Sequence, residues 1–184
     1  MVVGIVILVI VIVIAVWLVG AYNGFVTLRN KCEEAFSAMD VSLKKRYDLI
    51  PNYVETVKGY AKHESETLEK VISARNAAMN STTQEQRIAN ENILSGTLKS
   101  LFAVSEAYPD LKANQNFLQL QDQLQRIEEE IAGSRRYYNG VVNKFNTKTE
   151  MFPGNLIAGM FGFKRKPLYE VNDQAERENV KVSF

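Results

Sequence analysis

The first 28 residues of this chain carry no charged side chain, and the first charge is Arg29. From Val2 to Val19 nearly every residue is Val, Ile or Leu, with only Gly4, Ala15 and Trp17 between them. Wound as a helix at about 1.5 Å per residue, such a run spans a hydrocarbon core of about 30 Å. No face of it is polar enough to lie flat on a bilayer or to pack as an ordinary soluble helix. Residues 1–22 are therefore expected to be a single transmembrane anchor. Val2, Ile5, Leu8, Ile12, Val16 and Val19 lie within the span, and Trp17 and Tyr22 sit near its C-terminal end, where amphipathic rings favour the headgroup zone. A cleaved signal peptide fits less well, because nothing basic precedes the run and it outlasts the about 7–15 apolar residues of such signals. Arg29, Lys31, Lys44, Lys45 and Arg46 follow the span. The positive-inside rule then puts the N-terminus outside and the main domain in the cytoplasm, with the opposite sidedness as the alternative.

Residues 23–152 suit one domain. The 22 basic and 21 acidic residues all lie beyond the anchor. So near a balance gives no general field to attract nucleic acid or to steer an acidic substrate. The single cysteine, Cys32, has no intrachain partner and falls on an apolar helical stripe, where it reads as a small buried hydrophobe.

Four prolines, Pro51, Pro109, Pro153 and Pro167, divide the chain, since each removes a donor and disfavours helix just before it. Phe25, Cys32, Met39, Leu43 and Ile50 predict one helix from the membrane to about Leu49. A second is expected from Pro51 to about Asn80, burying Val54, Val57, Ala61, Leu68 and Val71. Thr82 and Glu85 match a capping box for a third, which rests on Ile88, Leu94, Leu98, Leu101 and Phe102 and ends at Tyr108-Pro109-Asp110. The fourth is the clearest: Phe117, Leu120, Leu124, Ile127, Ile131, Tyr138, Val141, Phe145 and Phe152 step by threes and fours, with only Ser134 and Lys148 breaking the stripe. The expected fold is all-α, an anchor helix continuing into an antiparallel up-down bundle of three or four long helices.

Residues 153–184 form a different, irregular segment, expected as a short apolar helix, a basic triplet and an extended tail. Leu156, Ile157, Met160, Phe161 and Phe163 make a short apolar patch, followed at once by the basic triplet Lys164-Arg165-Lys166. The patch needs cover. It can pack back on the bundle, enter the membrane interface with the triplet against anionic lipid, or dock on another subunit. The polar tail ends in alternating Val180, Val182 and Phe184.

Site chemistry is sparse. His63 is the only histidine, and His63-Glu64 lacks the second histidine of a metalloprotease motif, having Thr67 in its place. No phosphate loop, nucleophile elbow or Cys/His cluster occurs, so no metal, cofactor or catalytic residue is assigned. Glu128-Glu129-Glu130 reads as a solvated helix face. One polar set lies on otherwise packed helices: Asp40, Arg46 and Asp48 on the first, Arg135, Arg136 and Asn139 on the fourth. Arg46 and Arg135 fall at or beside apolar stripes, where an unpaired charge is costly. The set reads as an ion-pair network or, alternatively, as a partner surface.

Longer motifs are more specific. Asp40-Val41-Ser42-Leu43-Lys44-Lys45-Arg46-Tyr47-Asp48-Leu49-Ile50-Pro51-Asn52 continues as Val54-Glu55-Thr56-Val57-Lys58-Gly59-Tyr60. Later come Ser134-Arg135-Arg136-Tyr137-Tyr138-Asn139, then Asn143, Phe145-Asn146, Phe152-Pro153 and Gly162-Phe163. In this order, and through to the Val180-Lys181-Val182-Ser183-Phe184 end, the chain resembles the LemA family of bacterial membrane proteins. The resemblance implies one N-terminal membrane helix, a predominantly helical bundle and a bacterial cell membrane, and it brings no established catalytic activity.

Two functions are then expected. The first is a non-enzymatic scaffold that self-assembles into a homo-oligomer at the bilayer and organises or remodels it. The second is a membrane-tethered adaptor presenting Asp40, Arg46, Asp48, Arg135 and Arg136 to another membrane protein, such as a protease or envelope-stress factor.

Overall fold

The computed structural model describes residues 1–169, and all regular structure among them is helical. Helix α1 runs Val2–Tyr60, α2 Ser65–Met79, α3 Gln84–Glu106, α4 Pro109–Lys112, α5 Gln115–Glu150 and α6 Gly154–Phe161. The sequence expectations for the tail beyond Tyr169 lie outside the described residues. The helices divide between two compact units, one of residues 1–39 and 134–168, the other of residues 40–133 and Tyr169.

In the first unit, residues 2–16 of α1 are exposed throughout. This apolar stretch makes α1 long and apolar enough to cross a membrane. Burial begins at Phe25 and recurs at Cys32, Ala35 and Met39, the i, i+3 and i+4 steps of one helix face. Tyr138, Val142 and Phe145 form the matching face of α5. The two faces meet through rings: Phe36 lies 5.7 Å from Tyr138, and Phe25 packs edge-on to Phe145 at 6.1 Å. Phe152-Pro153-Gly154 stops α5, as expected. Gly162, with φ of +72°, closes α6 in the left-handed conformation that glycine adopts without strain. Phe163 N–H then donates back to the Ala158 carbonyl at 2.9 Å.

The second unit buries Leu43, Ile50 and Val57 of α1, Leu68 and Val71 of α2, Leu94, Leu98 and Leu101 of α3, and Phe117 and Leu124 of α5. Tyr53 sits among them, 5.7 Å from the Phe102 ring and 5.2 Å from Phe117.

Two helix boundaries differ from the sequence reading. Pro51 does not end the first helix: α1 runs through it to Tyr60, and the break comes at residues 61–64. Proline cannot donate to the carbonyl four residues back, here Tyr47. Arg75 of α2 supplies the missing donor, its Nε lying 2.6 Å from the Tyr47 oxygen. Arg75→Ala should leave that carbonyl without its partner and cost about 1–3 kcal/mol, read as a shift of the urea midpoint. An unchanged midpoint would show that α1 tolerates Pro51 unaided. The second difference is the start of α3. Its cap is Thr83, whose hydroxyl accepts from Gln86 N–H at 3.2 Å, one residue on from the expected Thr82. Gln86 reaches back to Thr82, accepting from both its N–H and its hydroxyl.

Candidate functional site

Arg46 projects from α1 into the second unit and is completely buried. Its Nη2 donates to Glu91 of α3, and its Nη1 donates to Glu128 Oε1 of α5 at 2.7 Å and to Ser95 Oγ at 3.1 Å. Tyr47 donates its hydroxyl to the other oxygen of Glu91. One guanidinium thus ties three helices together, and the buried Glu91 carboxylate is held at both oxygens. Around this centre, Asp40 accepts from Arg87 at 2.9 Å and Ser42 donates to Glu130 at 3.1 Å.

The electrostatics follow from this arrangement. Burial by itself would pull the Arg46 pKa down, but the Glu91 and Glu128 carboxylates outweigh it, so the net direction is up and the charge is permanent. The Tyr47 phenol is pushed up by burial first, then by the Glu91 charge and their hydrogen bond, with Arg46 and Arg87 opposing. Burial also lifts Tyr53, to about 12, with Ser105 opposing. A phenol whose folded pKa exceeds its unfolded value stabilises the fold fully below the unfolded pKa, and that contribution disappears as pH rises through the folded pKa. Stability should therefore decline from pH 10 upward, and Tyr53→Phe should flatten that decline between pH 10 and about 12. Urea midpoints of both proteins across this range test it. Parallel declines would place the alkaline sensitivity elsewhere.

Of the six polar candidates, Asp40, Arg46 and Asp48 belong to the second unit and Arg135, Arg136 and Asn139 to the first. Asp48 and Arg136 are exposed, whereas Asp40, Arg135 and Asn139 are half-buried. Glu91, Glu128 and Ser95, which hold Arg46, are absent from the sequence-derived set. Glu128 in particular departs from its reading as part of a solvated face: its side chain is only 26% exposed.

In the first unit the C-terminal patch divides. Ile157 is buried and Phe163 half-buried, while Leu156, Met160 and Phe161 remain exposed. Phe163 stacks on Phe25 at 4.9 Å and lies 5.8 Å from the Tyr22 ring; Phe161 is 4.8 Å from Tyr22. Two of the three basic residues are engaged within the chain. Arg165 pairs with Glu150 at 2.7 Å, and Lys166 approaches Glu33 at 3.6 Å. Lys164 is exposed.

Asn146, unassigned in the sequence reading, is the clamp here. Its amide donates to the Lys166 carbonyl and accepts from the Lys166 N–H, both at 2.9 Å. Tyr138 adds a hydroxyl bond to the Pro167 carbonyl at 2.8 Å. An extended strap is thereby fastened along α5. Cys32 is buried nearby, and burial raises its thiol pKa, with Lys166 opposing and Glu33 adding to the rise. The thiol is held protonated and unreactive. Among the described residues no group of three or more His, Cys, Asp or Glu is placed to hold a metal.

Comparison with known proteins takes up the same residues. The LemA family model matches residues 35–184, which includes the Arg46 centre and the Asn146 strap. This chain belongs to the LemA family. It is 27% identical to Protein LemA of Metamycoplasma hominis over 169 residues, 90% of this chain and 75% of that one. It is also 24% identical to Magnetosome protein MamQ 2 of Paramagnetospirillum magneticum, over 81% of this chain and 64% of the relative. Magnetosome protein MamQ of Magnetospirillum gryphiswaldense is 22% identical, over 78% and 62%. The chain thus spans less than two thirds of the MamQ proteins. With its apolar α1, this LemA-family chain is a membrane-associated helical protein.

Proposed function

We propose that the protein is a non-enzymatic scaffold, anchored by α1 in the bacterial cell membrane, that self-assembles into a homo-oligomer and organises or remodels the bilayer. In this reading the helices of residues 23–152 form an antiparallel up-down bundle on the cytoplasmic side. The carrying observation is an open groove of about 830 Å³ lined by residues 51–58 of α1, Ala61 and Lys62 of the break, and residues 65–76 of α2, with Val54, Leu68 and Ile72 among its walls. An apolar groove of this size on a packed domain favours cover by another chain. The Arg46 centre fits the same role, since its charged groups are spent on one another and join helices rather than offering chemistry. The MamQ relatives are magnetosome proteins by name, which is in keeping with service to a larger assembly.

Mass photometry and electron microscopy of the detergent-extracted chain test the proposal. A large symmetric particle that Ile72→Glu reduces to single chains supports the scaffold. A single chain per micelle in the wild type sinks it and favours the adaptor. Exposed Arg136 and Tyr137, side by side on α5, speak for that second reading. There Arg136→Glu would abolish capture of a partner membrane protein without lowering the melting temperature.

A further inference from the structure

The corner where α5 turns into α6 is unlike an ordinary surface turn, because α6 is apolar on both sides. Ile157 and Ala158 are buried against the first unit. On the other side Leu156 and Met160, one turn apart, are 56% and 71% exposed, and Phe152 at the turn is 78% exposed. Phe161 is half in contact with Tyr22 and half open. A soluble helix of this length presents a polar outer face, so these side chains call for an apolar neighbour.

Their position identifies it. Tyr22, which touches Phe161, stands at the end of the apolar run of α1. Trp17, Gly20 and Ala21 of that run share one groove of about 810 Å³ with Met151, Phe152 and Gly154 of the corner. The exposed apolar side chains are thus continuous with the anchor, at the level where the run gives way to charge. Cations sit at the same level: Lys144 borders the groove, and Lys164 follows α6. Lys148 lines the groove as well, its Nζ 4.7 Å from the Phe25 ring centre. Apolar side chains beside cations, at the end of a spanning helix, match the boundary between acyl chains and headgroups.

We infer that the α5–α6 corner is a second membrane contact, a foot that sinks Phe152, Leu156, Met160 and Phe161 into the headgroup–acyl boundary of the leaflet where α1 emerges, its occupant being phospholipid. The inference rests on α1 crossing the bilayer. Each chain would then displace lipid in one leaflet beside its own anchor, an asymmetry suited to bending a membrane.

The chain carries a single tryptophan, Trp17, which makes fluorescence selective. The full chain is placed in phosphatidylcholine–phosphatidylglycerol vesicles with plain or brominated acyl chains. The wild type reports on the anchor, and the double variant Trp17→Phe/Met160→Trp reports on the corner. The foot predicts that the corner's emission falls by about twofold or more in brominated vesicles, as it does for a ring within the acyl region. Emission unchanged by bromine but shielded from acrylamide would assign the corner to a second copy. Emission open to acrylamide would leave it in water, and either result overturns the foot. If the corner is quenched and Trp17 is not, lipid contact stands while the spanning anchor fails. If neither is quenched, both fall together.

Discussion

Arg46→Met is expected to be among the most damaging single changes in the protein, costing about 3–5 kcal/mol. The guanidinium is wholly buried, and its loss strands Glu91, which is also fully buried, together with Glu128. Most of that cost is the penalty of an uncompensated buried carboxylate, not the worth of the ion pair. A second substitution separates the two contributions. In Arg46→Met/Glu91→Leu the fully buried stranded charge is gone, an apolar contact takes the place of that pair, and only the partly exposed Glu128 is left without its cation. Replacing a buried ion pair by packed apolar groups is often neutral or better, so the double variant should recover more than half of the loss. Tyr47 then lacks its acceptor, which limits the recovery. Urea denaturation of all three proteins measures this. A single variant that costs under about 1 kcal/mol would mean that Arg46 is not the joint described above.

That joint shows where the sequence was legible and where it was not. The apolar stripes were plain, and so was the need of Arg46 for a partner, because both follow from helical period alone. Its partners lie 45 and 82 positions away, and no local spacing pairs residues so far apart. A signal was nevertheless present. Ile88, Leu94, Leu98 and Leu101 mark the buried face of α3, and Glu91 stands on that same face, three residues after Ile88. A carboxylate on a core stripe needs a cation as surely as Arg46 needs an anion. Pro51 misled for a related reason: proline's effect on a helix depends on whether another group can serve the orphaned carbonyl, and Arg75 does so from another helix. The real break at residues 61–64 carries no proline. At the corner, the patch was visible as composition. Its division into a packed and an exposed half depends on Tyr22 and Phe25, both more than a hundred residues from α6 in sequence.

Phe25→Ala is the change expected to separate that corner from the rest of its unit, at a cost of about 3–5 kcal/mol. Phe25 is fully buried, stacked on Phe163, edge-on to Phe145 and capped by the Lys148 ammonium. Truncation removes the apolar volume and three ring contacts together, and aromatic pairs add about 0.5–1.5 kcal/mol each beyond their buried area. The strap at Lys166 and Pro167 is fastened to α5 by Asn146 and Tyr138, none of which touches Phe25 through a hydrogen bond. The strap should therefore hold while α6 loosens between its two fixed ends. Hydrogen exchange followed by mass spectrometry gives the readout. Amides of residues 156–161 should exchange faster in the variant, whereas those of α2 and α3 keep their protection. Phe25→Leu, which keeps most of the apolar volume but no ring, should fall between the two. Equal protection of α6 in all three proteins would show that the corner is held by Ile157 and Ala158 alone, with the aromatic stack incidental to it.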